Sequence, residues 1–282
     1  MPPPLICASH TISGVMPGDP TVQRHGFEAR VAAVAAAGFD GIGLHMRDHA
    51  QLRQQGWSDV DLRAVMVRHG LRAESVEFLS DWHADTFASQ SSRARAFAAA
   101  EGFGAKIVNA GIDAGDERMP LADLVEPLKR LVDAAAARSL SVALEFVSWG
   151  ACERLEQAVA LAEVAGAGLL VDVWHLAWRG ILPDDLAAVP AGRVLGVQIS
   201  DSLAPGHAPV RDATLSRGFP GEGVLDLPAY LAAMAKNHWT APISVEVISP
   251  RVAALDVEIC ARLAYDSAWP RIDTAWRAMH AA

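Results

Sequence analysis

Cysteine is scarce in this 282-residue chain: only Cys7, Cys152 and Cys260 occur, far apart and in no CxxC pair. That pattern argues against a disulfide framework or a structural thiolate zinc site, and a reducing, cytoplasmic setting is expected. Long hydrophobic runs are missing too. The longest, around 31–37, falls far short of the roughly 20 residues that cross a bilayer, so no membrane partner is expected. The opening Met1-Pro-Pro-Pro-Leu5 has neither a basic segment nor an apolar stretch, so no signal peptide is expected. Positive charge is in deficit, with 24 Lys+Arg against 33 Asp+Glu and a net charge of −9. Such a surface repels a phosphate backbone, and no nucleic-acid partner is expected. No GxGxxG turn follows the first strand-like segment, which removes the dinucleotide-binding fingerprint. There is no linker or low-complexity stretch, so 1–282 reads as a single domain.

What is present is alternation. Eight short, mostly β-branched or leucine-rich segments read as strands: Leu5–Ser9, Gly41–His45, Ala73–Phe78, Lys106–Ala110, Val142–Val147, Leu169–Val173, Val194–Ser200 and Ile243–Ile248. Alanine-rich segments of helical period separate them, among them Phe27–Ala37, Ser58–His69, Ser91–Gly102, Leu121–Arg138 and Cys152–Ala165. Ser58 with Asp61 forms an N-terminal cap signal, while Gly70 and Gly102 stand where helices are expected to stop. A βα unit recurring about every 30 residues predicts a parallel sheet, and eight units in this length predict a closed (β/α)₈ TIM barrel. The tail after Pro270 reads as an additional C-terminal helix.

Four strand-like segments each end in an oxygen-bearing side chain: Glu145, Asp172, Gln198 and Glu246. In a parallel barrel the active site forms at that end of the strands. Alternation gives all four one register, with Val142, Leu144, Val171, Val173, Val197, Ile199, Val245 and Val247 facing the helices and the polar residues facing the barrel. Several inward carboxylates are costly unless they share protons or a cation. The four residues are therefore predicted to bind one divalent metal ion. All are hard donors, which puts Mn²⁺ first, with Mg²⁺, Co²⁺ or Zn²⁺ as alternatives.

Other residues gather around this ring. His175, three residues beyond Asp172, is a candidate proton carrier or ligand of a substrate oxygen. Asp201 is placed to orient His175 or the ring, or else to cap a loop. Arg217 and Glu222, in the glycine- and proline-rich turn Ser216-Arg-Gly-Phe-Pro-Gly-Glu222, are candidates to bind substrate, Arg217 through its planar fork. His45, Glu77 and Asn109 fall at the ends of strands two to four and are candidates to line the pocket, His45 and Glu77 as substrate-binding residues. Trp82, Trp149 and Trp174 are candidate walls for a sugar ring. The remaining histidines read as surface groups.

These residues resemble the xylose isomerase-like barrel superfamily, in its sugar phosphate isomerase/epimerase branch. The resemblance rests on the ring, the Asp172-x-x-His175 pair, Asp201, the Arg217…Gly221-Glu-Gly223 turn and Gly38-Phe-Asp-Gly-Ile-Gly-Leu44. It implies one divalent metal on Glu145, Asp172, Gln198 and Glu246, with Glu145 and Glu246 as acid and base. Many epimerases of the branch carry His where Gln198 stands. Glutamine there is more similar to the inosose dehydratase and 3-dehydroshikimate dehydratase members. The expected activity is isomerisation or epimerisation of a small, sugar-like keto/hydroxy substrate. A dehydratase (lyase) acting on a cyclic keto-polyol is the alternative, and a non-catalytic binding barrel is the third reading. Phosphate preference is open, because no strong Gly-rich cradle follows strands seven and eight. Exposed alanine-rich helices and the C-terminal extension leave room for a homodimer.

Overall fold

A computed structural model of the chain describes residues 1–111, 119–150, 152, 154–203 and 209–281, apart from the side chains of residues 211, 280 and 281. Eight parallel strands close into a barrel in chain order: β1 (Leu5–Cys7), β2 (Gly41–His45), β3 (Arg72–Leu79), β4 (Ile107–Gly111), β5 (Ser141–Glu145), β6 (Gly168–Asp172), β7 (Val194–Ile199) and β8 (Ile243–Val245). Every expected strand is present, with ends displaced by a few residues. The fold is the (β/α)₈ TIM barrel that the alternation implied. None of the described helices is long and apolar enough to cross a membrane. All three cysteines are unpaired and buried.

The helical shell includes α1 (Phe27–Ala37), α2 (Met46–Gln54), α3 (Asp59–Arg68), α4 (Phe87–Phe103), α5 (Leu121–Ala136), α6 (Leu155–Ala165), α7 (Val173–Trp178), α8 (Leu227–Lys236) and α9 (Val257–Ala281). Ser58 caps α3 as expected: its hydroxyl accepts the Asp61 amide at 3.1 Å while the Asp61 carboxylate accepts the Ser58 amide at 3.0 Å. Several helix ends differ from expectation: α4 begins at Phe87 rather than Ser91, and α5 ends at Ala136 rather than Arg138. Helix α4 runs through Gly102 and stops at Gly104, whose φ of 80° suits glycine. Gly102 is there for close packing, since a Cβ would fall 2.2 Å from His49 Nε2. Helix α6 begins at Leu155 rather than Cys152; Glu153 lies outside the described residues.

The tail is the larger departure. Pro270 does not begin a separate helix but sits inside the 25-residue α9. Ala261, Ala264, Ala268, Ile272 and Trp276, spaced by three or four residues, are all buried and form one continuous stripe across the proline. Burial on both sides outweighs the roughly 3 kcal/mol that an interior proline costs a helix.

A buried ion pair ties α1 to α2. Arg30 is 0% exposed and donates from Nη1 to Asp48 Oδ2 at 2.9 Å. Arg30 Nε and Nη2 and Asp48 Oδ1 have no hydrogen-bond partner. With so little other support for the charge, Asp48→Ala is expected to destabilise the fold by about 3–5 kcal/mol, because it strands a buried guanidinium. Urea unfolding checks this, and a loss below about 1 kcal/mol would count against the pairing.

Candidate functional site

Register brings the ring to one end of the barrel. Asp172 pairs across the ladder with Gln198, and Gln198 with Ser244, two residues before Glu246. Glu145 stands beside Leu170, two residues before Asp172. Residues paired in this way share a face, so all four polar side chains point inward, as the alternation predicted. Their outward neighbours Leu144, Val171, Val197 and Val245 are buried against the helices.

A cavity of about 490 Å³ opens over this end, lined among others by His10, Glu77, Glu145, Trp149, His175, Gln198, Arg217 and Glu246. That size is usual for a small-molecule site. The acids fall into two groups. Glu145, Asp172 and His175 offer ligand atoms within 4.8 Å of one another, and so do His10, Glu77 and Glu246. Arg217 bridges them: its Nη1 donates to Asp172 Oδ2 at 2.7 Å and to Glu246 Oε2 at 3.2 Å. The guanidinium also donates to Thr214 Oγ1, from Nη2 at 3.0 Å, and lies over the Trp174 ring at 4.8 Å. Arg217 was expected to clamp substrate; in the structure its Nη1 donates to the protein's own carboxylates, and its Nε and Nη2 to Thr214. Asp172 is fully used as well, because its Oδ1 accepts the Trp174 amide at 2.9 Å and caps α7. Gln198 Oε1, by contrast, is buried with no hydrogen-bond partner among the described residues.

His175 can be assigned a tautomer. The Ser148 backbone amide, which can only donate, reaches Nδ1 at 3.3 Å. The Ser148 hydroxyl also lies 2.9 Å from Nδ1. Nδ1 is therefore taken as the acceptor and Nε2 as the protonated nitrogen facing the carboxylates, although Arg217 Nη2, itself a donor, lies 3.5 Å from Nε2. That proton faces Glu145 Oε1 at 3.5 Å and Asp172 Oδ2 at 3.6 Å. Burial, reinforced by the Arg217 charge, lowers the His175 pKa to about 4, against the pull of Asp172 and Glu246. The ring is neutral at pH 7. Trp149 packs edge-on against it, with centroids 5.1 Å apart.

Other expected residues settle differently. Glu222 does not join the cavity: it is exposed, accepts the Phe219 amide at 2.8 Å and pairs with Arg251. Its own tight turn places a backbone amide within reach, and that contact wins over the longer path to the cavity. Asp201 does not touch His175 either. Its carboxylate accepts the amides of Ser202, Gly221 and Leu225 at 2.8–3.0 Å, so it is the buried cap of the turn that carries Arg217. His45 lies in an adjoining pocket of about 300 Å³, where Nδ1 accepts the Arg47 amide and the ring packs edge-on against His10. Asn109 donates to Ser75 Oγ at 3.3 Å inside the barrel. Trp82 is buried and donates to the Gly111 carbonyl, and Trp174 is buried beneath Arg217.

His10 was read as a surface residue but lines the cavity, with Nδ1 3.8 Å from Glu246 Oε1. Its position just beyond β1 is the same strand-end signal that marked His45 and Glu77. Burial opposes charge on His10, but the Glu246 carboxylate outweighs it and the pKa rises. For Glu246, burial is overcome by His10 and Arg217, and the pKa falls. Burial, reinforced by repulsion from Glu246, raises Glu77 and Glu145 to about 8.

Residues 31–264 match the family model of the xylose isomerase-like TIM barrel. A 3-dehydroshikimate dehydratase of Pseudomonas aeruginosa is 28% identical over 232 residues, 78% of this chain and 36% of the relative. The chain thus spans about a third of the length of the curated dehydratases it matches. An inosose isomerase of Bacillus subtilis is 28% identical over 140 residues, 48% of this chain and 49% of the relative. Among solved structures, the IolI protein with a zinc atom superposes with a TM-score of 0.83 at 18% identity, covering 96% of this chain and 99% of that one. A xylose isomerase-like TIM barrel/4-hydroxyphenylpyruvate dioxygenase fusion protein reaches 0.84 at 20% identity, covering all of this chain and 44% of the other. At these identities the structural likeness speaks for the fold.

The shifted groups set a pH dependence. Glu77 and Glu145 keep protons that the unfolded chain releases near 4.5, so their contribution to stability is complete below 4.5 and is lost as pH rises through about 8. His175 and His45, lowered to about 4 and about 3, contribute fully above 6.5 and lose that contribution as pH falls through those values. The two trends oppose each other between 4.5 and 6.5. Above 6.5 the acids dominate, joined by His10 in the same direction. The melting temperature of chelator-treated protein is therefore expected to fall between pH 6.5 and about 8.5, and Glu77→Gln to flatten the decline. A melting temperature that is constant or rising over that interval contradicts the assignment.

Proposed function

This chain belongs to the xylose isomerase-like TIM barrel family, and we propose that it is a divalent-metal-dependent isomerase or epimerase of a small, sugar-like hydroxy-carbonyl compound. The reaction begins with removal of the proton α to the carbonyl. The observation that carries this reading is a single cavity where Glu145, Gln198 and Glu246 converge from separate strands, with the Gln198 Oε1 acceptor buried and without a partner among the described residues. The lowered pKa of Glu246 beside the raised ones of Glu77 and Glu145 supports it. Carboxyl groups whose pKa values are driven apart by their surroundings mark acid and base roles.

The residues fit a hard dication. Glu145, Asp172, Gln198 and Glu246 are oxygen donors on four successive strands, and Gln198 Oε1 is a buried acceptor without a partner. An orphaned acceptor of this kind costs about 1–3 kcal/mol, which a cation beside it removes. Mn²⁺ suits such donors first, with Mg²⁺, Co²⁺ and Zn²⁺ as alternatives, and the zinc in the IolI relative supports a dication of this class. A dication held there supplies Lewis-acid polarisation of the substrate carbonyl.

The chain's own groups do the rest. Glu246 accepts the α proton, and Glu145 returns one to the product. General acid–base help of this type contributes about 10²–10⁴-fold per group. The His175 Nε2 proton points into the cavity as a donor to a substrate oxygen, and Trp149 forms an apolar wall.

Dehydration of a cyclic keto-polyol is the second reading, and two observations favour it. Glu77, raised to about 8 by burial, offers a proton to a departing β-hydroxyl at neutral pH, and His10, raised by the Glu246 carboxylate, stands beside it. The dehydratase relative also aligns over 78% of the chain. His175, with a pKa of about 4, holds no surplus proton to give at pH 7. The acid role once assigned to it passes to Glu77.

Both readings share the first half-reaction, so the test follows it. Keto-sugars, inososes and 3-dehydroshikimate are incubated with Mn²⁺-loaded protein in D₂O. Exchange of the α hydrogen is expected, with a new ultraviolet band, from an enone or, for 3-dehydroshikimate, from an aromatic ring, appearing only if dehydration follows. Glu246→Gln is expected to lower turnover and exchange by at least about 10²-fold and to reduce bound metal, with the fold intact by circular dichroism. Exchange and metal content that survive the substitution refute the assignment.

A further inference from the structure

Arg217 is the only lysine or arginine among the described residues that line the cavity, and it is 1% exposed. It is built into place from several directions. Its strand, Arg217–Gly218, pairs antiparallel with Asp201–Ser202, and its amide donates to the Ile248 carbonyl at 3.0 Å. Thr214 Oγ1 accepts from both Nε and Nη2, at 3.3 and 3.0 Å, and Trp174 supports the plane of the guanidinium. The two carboxylate oxygens Nη1 donates to are Asp172 Oδ2 and Glu246 Oε2, with the Ser200 hydroxyl a longer third acceptor at 3.5 Å.

The choice of oxygens matters. Asp172 Oδ1 is occupied by the cap of α7, which leaves Oδ2 as the atom through which Asp172 can bind a cation. Glu246 Oε1 faces His10, which leaves Oε2 toward the ring. The guanidinium therefore sits on the same two atoms that a dication held by Asp172 and Glu246 would use. Two cations cannot both take the full negative potential of one carboxylate oxygen, because each weakens the other's attraction and their mutual repulsion is large in a buried site.

We propose that Arg217 is the resident counter-cation of this site and competes with the incoming dication for Asp172 Oδ2 and Glu246 Oε2. It keeps the clustered acids compatible with a folded barrel before metal arrives, and loading moves its fork off at least one of those oxygens. This deepens the metal reading above and rests on it. The opposite role would be pre-organisation, in which Arg217 holds the carboxylates in the geometry the metal needs. The two roles predict opposite signs.

Mn²⁺ is titrated into chelator-stripped, full-length protein by calorimetry, and melting temperature is followed with and without Mn²⁺. Arg217→Met keeps the length and the contact with Trp174 but removes the charge. Competition predicts at least a ten-fold tighter Mn²⁺ dissociation constant, a lower melting temperature without metal and a larger rise on adding it. Arg217→Lys, which keeps charge but loses the fork, falls between Met and wild type. Thr214→Val loosens the guanidinium without touching the acids and gives a smaller tightening, which serves if Arg217→Met does not fold. Equal or weaker Mn²⁺ binding in these variants overturns the competition while leaving the metal site standing. Failure of wild type and variants alike to bind Mn²⁺, Zn²⁺ or Co²⁺ overturns the metal reading and this inference with it.

Discussion

Buried charges of one sign have to be compensated, and at the open end of this barrel that requirement shapes nearly everything else. Glu77, Glu145, Asp172 and Glu246 come off separate strands into one confined volume. Each is penalised by loss of water, and Glu246 further raises the pKa of the others. Three physical responses coexist: two acids retain protons, Arg217 bridges Asp172 and Glu246, and His10 comes to lie beside Glu246. A cavity arranged in this way is poised for proton transfer, because the same forces that keep the fold together set one carboxylate apart from its neighbours.

The supporting structure follows from that need. Asp201 accepts three backbone amides and so fixes the turn from 217 to 225, which delivers Arg217. Thr214 accepts from the guanidinium, and the Trp174 ring lies beneath it. Ser148 fixes the tautomer of His175. None of these residues carries a proposed chemical role, yet each fixes the charge or direction of a side chain that lines the cavity. Buried ionic networks are weak contributors to net stability but are sensitive to loss of a partner. Small changes at Asp201 or Thr214 are therefore felt at the ring.

Much of the fold was visible in linear patterns. Alternation along Val142–Val147 and Val194–Ser200 put Glu145 and Gln198 on the inner face without reference to any neighbour, because side chains in a strand alternate by geometry alone. Ser58 with Asp61 marked a helix start for the same kind of local reason. The misreadings share a cause. Glu222 lies in a turn whose Phe219 amide faces its carboxylate, and turn geometry cannot be read from residue types. For Asp201 the same turn decided between the two roles open to it, in favour of the cap. His10 was passed over because its partner, Glu246, is 236 positions away. Pro270 interrupts a local pattern, but a buried stripe on one side of α9 carries the helix through it.

Residue order was enough to establish eight βα units, the inward register of the four strand-end donors and the chemical kind of those donors. Each depends on repeat length, side-chain alternation or composition, all of which are short-range properties. Closure of the barrel settled who answers whose charge. It set Arg217 against Asp172 and Glu246, gave Glu246 a histidine for a neighbour, left Gln198 Oε1 without a partner and turned Glu222 away from the cavity. Electrostatic compensation depends on distances of a few ångströms between residues far apart in the chain, and those distances exist only once the strands have closed.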